Sequence, residues 1–315
     1  MEKIKIIFCG TPALCLPTLN MLVKNPLVDL LMIITPPDKP AGRKLILTPP
    51  ATAEFAKKNN IPLRQTGHIA SDINLISEIR HLSPDIILVF AFSGFLSEEI
   101  LNLPKLGCFN IHTSLLPKYR GAAPIQYALL RGDHITGISI QKMVKKMDAG
   151  DIALKEEITI APSDNLESLS LKFEDVCAST AFKFLAQLHT KNISLTKQDE
   201  DQVTFAPSLK KEQGFLDFKN NEIKNLINQV RALNPWPGTY FLSQGKKIKV
   251  LQLEESPEDV PCGKVETHKH KILVGCKKGT LRLLQVQAEG KKPCKDSEFL
   301  KGLREPIILD EKEFL

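Results

Sequence analysis

Runs of consecutive apolar residues alternate with segments of helical period along the first third of this chain. Lys3 to Phe8 reads as a strand, Gly10-Thr11-Pro12 as a turn, and Leu14 to Leu22 as a helix. Leu27 to Ile34 is a second apolar run, stopped by Thr35-Pro36-Pro37. A helix over Ala51 to Lys58, a short strand near Pro62 and an amphipathic helix over Ile73 to His81 follow. Asp85 to Phe90 is a third long run, bounded by Pro84 and Ser93-Gly94, and Cys108 to Ile111 is another strand. Uninterrupted apolar strands separated by helices predict a mainly parallel sheet covered on both faces, a doubly wound, Rossmann-like α/β domain. Residues 164–190 have the pattern of one long helix, with Ser163 or Asp164 as its cap and Leu166, Leu169, Phe173, Val176 and Cys177 along one face. The polar stretch after Lys191 reads as a linker. Beyond it come a helix over Ile223 to Leu233, stopped by Asn234-Pro235, and short alternating runs at Lys247 to Leu253, Lys271 to Val274 and Thr280 to Val286. Turn residues separate these runs, as in a small barrel.

This pattern divides 315 residues into an α/β domain over 1–190, a linker over 191–205 and a smaller β domain over 206–315. Composition changes the picture little: 43% apolar and 25% charged residues are ordinary for a globular protein, and disorder is excluded as the main theme. The apolar runs are too short to span a bilayer, and the start MEKIKIIFCGTP lacks the length and cleavage site of a signal peptide. Seven widely spaced cysteines without a Cys-x-x-Cys exclude a disulfide framework and a structural zinc site, so a reducing cytoplasm is expected. Charge adds more. Residues 206–315 hold 20 of the 42 Lys and Arg but only 15 of the 36 Asp and Glu, so most of the +6 net charge lies there. The clusters are Lys246-Lys247-Ile248-Lys249, Lys277-Lys278 and Lys291-Lys292. They fit a weak polyanion-binding face, or equally the solvated tips of hairpins.

The candidate chemistry lies in FNIHTSLLPKYRGAAPIQ, Phe109 to Gln126. Asn110 and His112 are two residues apart at a strand end, which puts both side chains on one face and at the edge where α/β sheets bind ligands. An amide donor can hold a developing oxyanion and an imidazole can move a proton. Asp148, within Asp-Ala-Gly, supplies a carboxylate, with Asp151 as a competitor. Asn110 and Asp148 could each merely cap a turn, and a lone histidine is often structural. Cys108 is a candidate nucleophile, but its strand position favours burial. Gly10-Thr11-Pro12 lacks the further glycines of a dinucleotide fingerprint, which disfavours a nicotinamide enzyme.

The Phe109–Gln126 block resembles the folate-dependent formyltransferases, most closely the branch that formylates initiator methionyl-tRNA. PDKPAGR (Pro37 to Arg43), TFAPSLKKEQGFLDF (Thr204 to Phe218) and RALNPWPGTYF (Arg231 to Phe241) extend the resemblance in the expected order. The resemblance implies a C-terminal open β-barrel and a catalytic trio of Asn110, His112 and Asp148. It implies folate contacts from Ser114, Leu115, Leu116 and Pro117. It also implies a contact of Arg43, with Lys44 beside it, to the acceptor end of tRNA. The implied reaction moves the formyl group of 10-formyltetrahydrofolate to the α-amino group of methionyl-initiator tRNA for translation initiation. No metal, membrane or obligate protein partner is expected. An amino-sugar nucleotide formyltransferase shares the trio and donor, but Ala122-Ala123-Pro124-Ile125-Gln126 matches the tRNA branch better. Relatives often carry Ala-Tyr-Gly where this chain has Ala91-Phe92-Ser93-Gly94. A hydrolase would need no basic docking surface, and an RNA-binding module would need no trio.

Overall fold

A computed structural model describes residues 3–42, 45–303 and 305–310. The chain divides into two compact units. One holds residues 1–124, 135–160 and 168–206; the other holds 125–134, 161–167 and 207–315.

The first part of the chain runs β1 (Ile4–Gly10), a 3-10 turn (Ala13–Cys15), α1 (Leu16–Lys24), β2 (Val28–Thr35), β3 (Lys39–Ala41), β4 (Ile46–Thr48), α2 (Ala51–Lys58), β5 (Leu63–Gln65), α3 (Ile73–Leu82) and β6 (Ile86–Phe90). It continues through α4 (Glu98–Leu101), β7 (Cys108–His112), α5 (Pro124–Arg131), β8 (Ile135–Lys142), β9 (Ile152–Thr159) and α6 (Leu166–His189). Seven strands form one sheet in the order β5-β2-β1-β6-β7-β8-β9. The first five are parallel; β8 and β9 are antiparallel additions.

Both faces of the parallel strands are buried, which is why their sequences are apolar without alternation. Ile7 and Cys9 of β1, Met32 and Ile34 of β2, and Ile87 and Val89 of β6 share one core with Ile76 and Ile79 of α3. The intervening Ile6, Phe8, Ile33, Ile86 and Leu88 are also fully buried. Helix α3 starts where Asp72 accepts from the Leu75 amide, and it ends at Ser83 in the left-handed region. The expected 1–190 pattern did not include β8, β9 or α5. Strand β8 mixes Thr, Gly, Ser and Gln with Ile and yet is almost wholly buried.

The second part holds α7 (Ile223–Leu233), β10 (Tyr240–Ser243), β11 (Lys246–Ser256), β12 (Val265–His268), β13 (Lys271–Gly275), β14 (Thr280–Ala288), β15 (Cys294–Lys295) and α8 (Asp296–Lys301). Its strands form an antiparallel open barrel, β10-β11-β14-β13-β12, with β15 on β14. Ile223, Leu226 and Val230 recur at helical spacing on α7 and enter a core with Phe241, Val250, Val274, Leu283 and Val286. Each such burial contributes about 1.5–3 kcal/mol. Among the described residues, no helix is long and apolar enough to cross a membrane.

Candidate active site

Strand β7 carries Asn110 and His112 to the carboxyl end of the sheet, and their spacing turns both toward one carboxylate. Asn110 Nδ2 lies 3.4 Å and His112 Nδ1 3.7 Å from the same Asp148 oxygen, Oδ1. Asp148 sits in the turn between β8 and β9, at φ 49°. A non-glycine residue there costs on the order of 1–2 kcal/mol, a cost that Asp tolerates better than most. The turn is held by close packing. A Cβ at Gly150 would come within 1.7 Å of the Lys142 carbonyl oxygen, so only glycine fits.

The carboxylate is fixed on both oxygens. Gln141 Nε2 donates to Oδ1 at 2.8 Å, and the Gly121 amide donates to Oδ2 at 2.9 Å. His112 is 5% exposed, and its Nε2 lies 2.9 Å from the Tyr119 carbonyl oxygen. A carbonyl can only accept, so Nε2 carries a proton. The nitrogen with a proton to gain or lose is therefore Nδ1, the one that faces Asp148. The second N–H of Asn110 has no hydrogen-bond partner among the described residues and is available to a ligand.

The remaining predicted residues fall as follows. Ser114 and Leu116 are fully buried, with the Ser114 hydroxyl donating to the Lys118 carbonyl at 2.6 Å. The Ser139 hydroxyl accepts from the Leu116 amide and donates to the Ser114 carbonyl, at 2.9 and 2.8 Å. Leu115 and Pro117 are the two members of that segment that are partly accessible. Arg43 and Lys44 lie outside the described residues. They fall between β3 and β4, and the neighbouring Leu45, Ile46 and Leu47 are exposed. Cys108 is buried against the Ile100 and Leu101 carbonyls, and burial pushes its thiol up to about 12. Such a thiol holds too little thiolate near neutral pH to act as a nucleophile.

Pattern reading missed several residues. The supposed linker is a strap along the 117–123 loop: Arg120 N donates to Thr204 O at 2.9 Å, Ala206 N to Arg120 O at 2.8 Å, and Tyr119 N to the Thr204 hydroxyl at 2.9 Å. Arg120, only 2% exposed, pairs with Glu200 of the strap at 2.7 Å. Hydrogen bonds from Arg120 and then Lys146 hold the Glu200 carboxyl down at about 2. Gln141 and Gln198 were also missed. Neutral amides carry no titratable signal, and their partners are brought close only by the fold.

Two family models cover most of the chain. The formyl transferase model matches residues 2–183, and the formyl transferase C-terminal domain model matches residues 208–304. The chain belongs to the formyl transferase family. Within that family it is similar to the methionyl-tRNA formyltransferase of Geobacter metallireducens, at 38% identity over 98% of this chain and 99% of that one. It is similar also to the methionyl-tRNA formyltransferase of Bacillus subtilis, at 37% identity over 95% of this chain and 94% of that one. Among solved structures, the N-formyltransferase from Helicobacter canadensis in complex with folinic acid and dTDP-3-aminofucose has a TM-score of 0.68 at 16% identity, over 90% of this chain and 99% of that one. HypX from Aquifex aeolicus in complex with tetrahydrofolic acid has a TM-score of 0.63 at 14% identity, over 99% of this chain and 51% of that one. At these identities the structural likeness speaks for the family's fold alone.

Proposed function

We propose that this chain transfers the formyl group of 10-formyltetrahydrofolate to the α-amino group of methionyl-initiator tRNA. The observation that carries the chemistry is the convergence of Asn110 and His112 on one oxygen of Asp148 at the carboxyl end of β7. The substrate reading is supported by likeness to methionyl-tRNA formyltransferases at 37–38% identity over 94–99% of each chain.

The methionyl α-amine, with a reference pKa of about 7.7–8.0, is substantially neutral near pH 7.5 and needs little activation. Its lone pair adds to the formyl carbon, and the carbonyl oxygen takes the displaced electron pair. The free N–H of Asn110 donates to that oxyanion. Deleting a comparable donor costs about 2.7–4 kcal/mol. His112 Nδ1 accepts the proton that the attacking amine sheds, and the imidazolium so formed faces the Asp148 carboxylate. Collapse then breaks the bond from the formyl carbon to the folate nitrogen, which leaves with the proton that the His112 imidazolium gives back. Leu115 and Pro117, the partly accessible members of the Ser114–Pro117 segment, are the proposed contacts to the folate. The Arg43-Lys44 pair, with the exposed Leu45 to Leu47 beside it, is the proposed contact to the tRNA acceptor end.

Incubation with 10-formyltetrahydrofolate and, in turn, charged initiator tRNA, amino-sugar nucleotides or buffer alone tests the assignment. Formyl-methionyl-tRNA is the expected product, read by acid gel electrophoresis. Formylation confined to the amino sugar would overturn it.

A further inference from the structure

Gln198 lies in the strap, and all of its hydrogen-bonding capacity is used. Its Nε2 donates to the Asp148 carbonyl oxygen at 2.8 Å and to the Gly150 carbonyl oxygen at 2.7 Å. Its Oε1 accepts from Arg120 Nε at 3.1 Å and Nη2 at 2.8 Å. The orientation of the amide is over-determined. A guanidinium can only donate and a carbonyl can only accept, so the oxygen must face Arg120 and the nitrogen must face the turn. Arg120 is in turn fixed by backbone bonds to Thr204 and Ala206.

We propose that Gln198 is a positioning residue for Asp148. The two carbonyls it clamps belong to Asp148 itself, which stands at φ 49°, and to Gly150 two residues on. Gln141 and Gly121 hold the carboxylate, and Gln198, together with the Gln141 oxygen that accepts from the Gly150 amide at 3.2 Å, holds the backbone that aims it. Without those two donors the turn relaxes toward commoner backbone angles, and the carboxylate swings away from His112 Nδ1 and Asn110 Nδ2. This inference rests on the catalytic reading of Asp148 above.

Two variants separate positioning from simple structural support. Gln198→Ala removes the clamp together with the acceptor for Arg120. Gln198→Glu keeps the size and strengthens the partner for Arg120, but sets a carboxylate against two carbonyl oxygens. We expect Gln198→Glu to retain the thermal melting point while kcat falls on the order of 10²-fold, as for a misplacement of about 1 Å. KM for the folate and for the tRNA should stay within about twofold. A second readout is independent of turnover: amide exchange at Gly121, whose N–H is donated to Asp148, should speed up in both variants, while Ile140 in β8 stays protected. Wild-type protein that formylates no methionyl-tRNA overturns the substrate reading, and the exchange at Gly121 then decides this inference alone. Unchanged Gly121 protection in both variants, or unchanged kcat in an active Gln198→Glu enzyme, overturns it.

Discussion

Asn110 offers one N–H to Asp148 at 3.4 Å, a long bond that costs little to give up. Its amide is therefore held in place without being consumed. Asn110→Ala removes the proposed oxyanion donor but leaves Asp148 with Gln141 and Gly121. The fold should keep its melting temperature while single-turnover formyl transfer slows about 10²- to 10³-fold. A rate within threefold of wild type would remove Asn110 from the chemistry. At this scale the sequence was legible where a residue type carries its own chemistry. Asn110 and His112 could be singled out because an amide and an imidazole on one face suit acyl transfer, whereas Asp148 was separable from Asp151 only through the resemblance to the formyltransferases. Gln141 and Gln198 could not be singled out. Gln141 is seven residues before Asp148 across a turn, and Gln198 is fifty residues after it, so only the β8–β9 turn and the strap reveal their common target. The Tyr119 carbonyl that sets the His112 tautomer is a backbone group at φ 63°, and no side-chain pattern announces it.

Elements with one strong period were read nearly to the residue: α2 over Ala51–Lys58, α3 over Ile73–Leu82 and α6 over Leu166–His189. Strand β8 escaped because its buried polar positions break the apolar run. Ser139 and Gln141 can be buried because each has a hydrogen-bond partner, to the Leu116 amide and to Asp148 respectively, so local pairing overrides the pattern. The strap escaped for a different reason. Its polarity suggested a solvated linker, and most of its residues are indeed exposed, but Gln198, Glu200 and Thr204 turn polar groups onto the 117–123 loop. Glu200 is the strap's acidic anchor, and the sign of its pH effect follows from its depressed folded value of about 2 against an ordinary value of 4.5. Its contribution is fully present above about pH 4.5 and is lost as the pH falls toward 2. The carboxyl is exposed, so salt screens the effect. A global acid melt would mix in Glu258, which Lys271 and Ser256 also hold at about 2. The local readout is amide exchange at Ala206, which is bonded to the Arg120 carbonyl. Protection there should drop between pH 4.5 and 2 in the wild type and be lower and flat over that window in Glu200→Gln. An acid-insensitive Ala206 in the wild type would show that Glu200 does not tether the strap.

The division of labour across the molecule follows from charge and from period. The α/β unit holds the polar cluster that can do chemistry, and the open barrel holds most of the excess positive charge. Strand β11 shows how a barrel strand presents that charge. Ile248 and Val250 are buried in the barrel core, while Lys247 and Lys249 alternate with them on the other face. Lys247 Nζ lies 3.5 Å from the centroid of the Tyr240 ring, and burial, followed by repulsion from Lys249, pushes its pKa down. An ammonium that is partly desolvated and repelled by its neighbour gains from an approaching phosphate. If the barrel contacts the tRNA backbone through this strand, each lysine removed should weaken binding for every tRNA sequence alike. Each removal should also make the slope of log affinity against log salt shallower by about 0.7–0.9. Lys247→Ala and Lys249→Ala, titrated with uncharged initiator tRNA across a salt series, test this without requiring catalysis. A loss of affinity with an unchanged slope would assign the lysines to packing on Tyr240, because only the release of counterions from phosphate makes the salt slope depend on the number of cations at the interface.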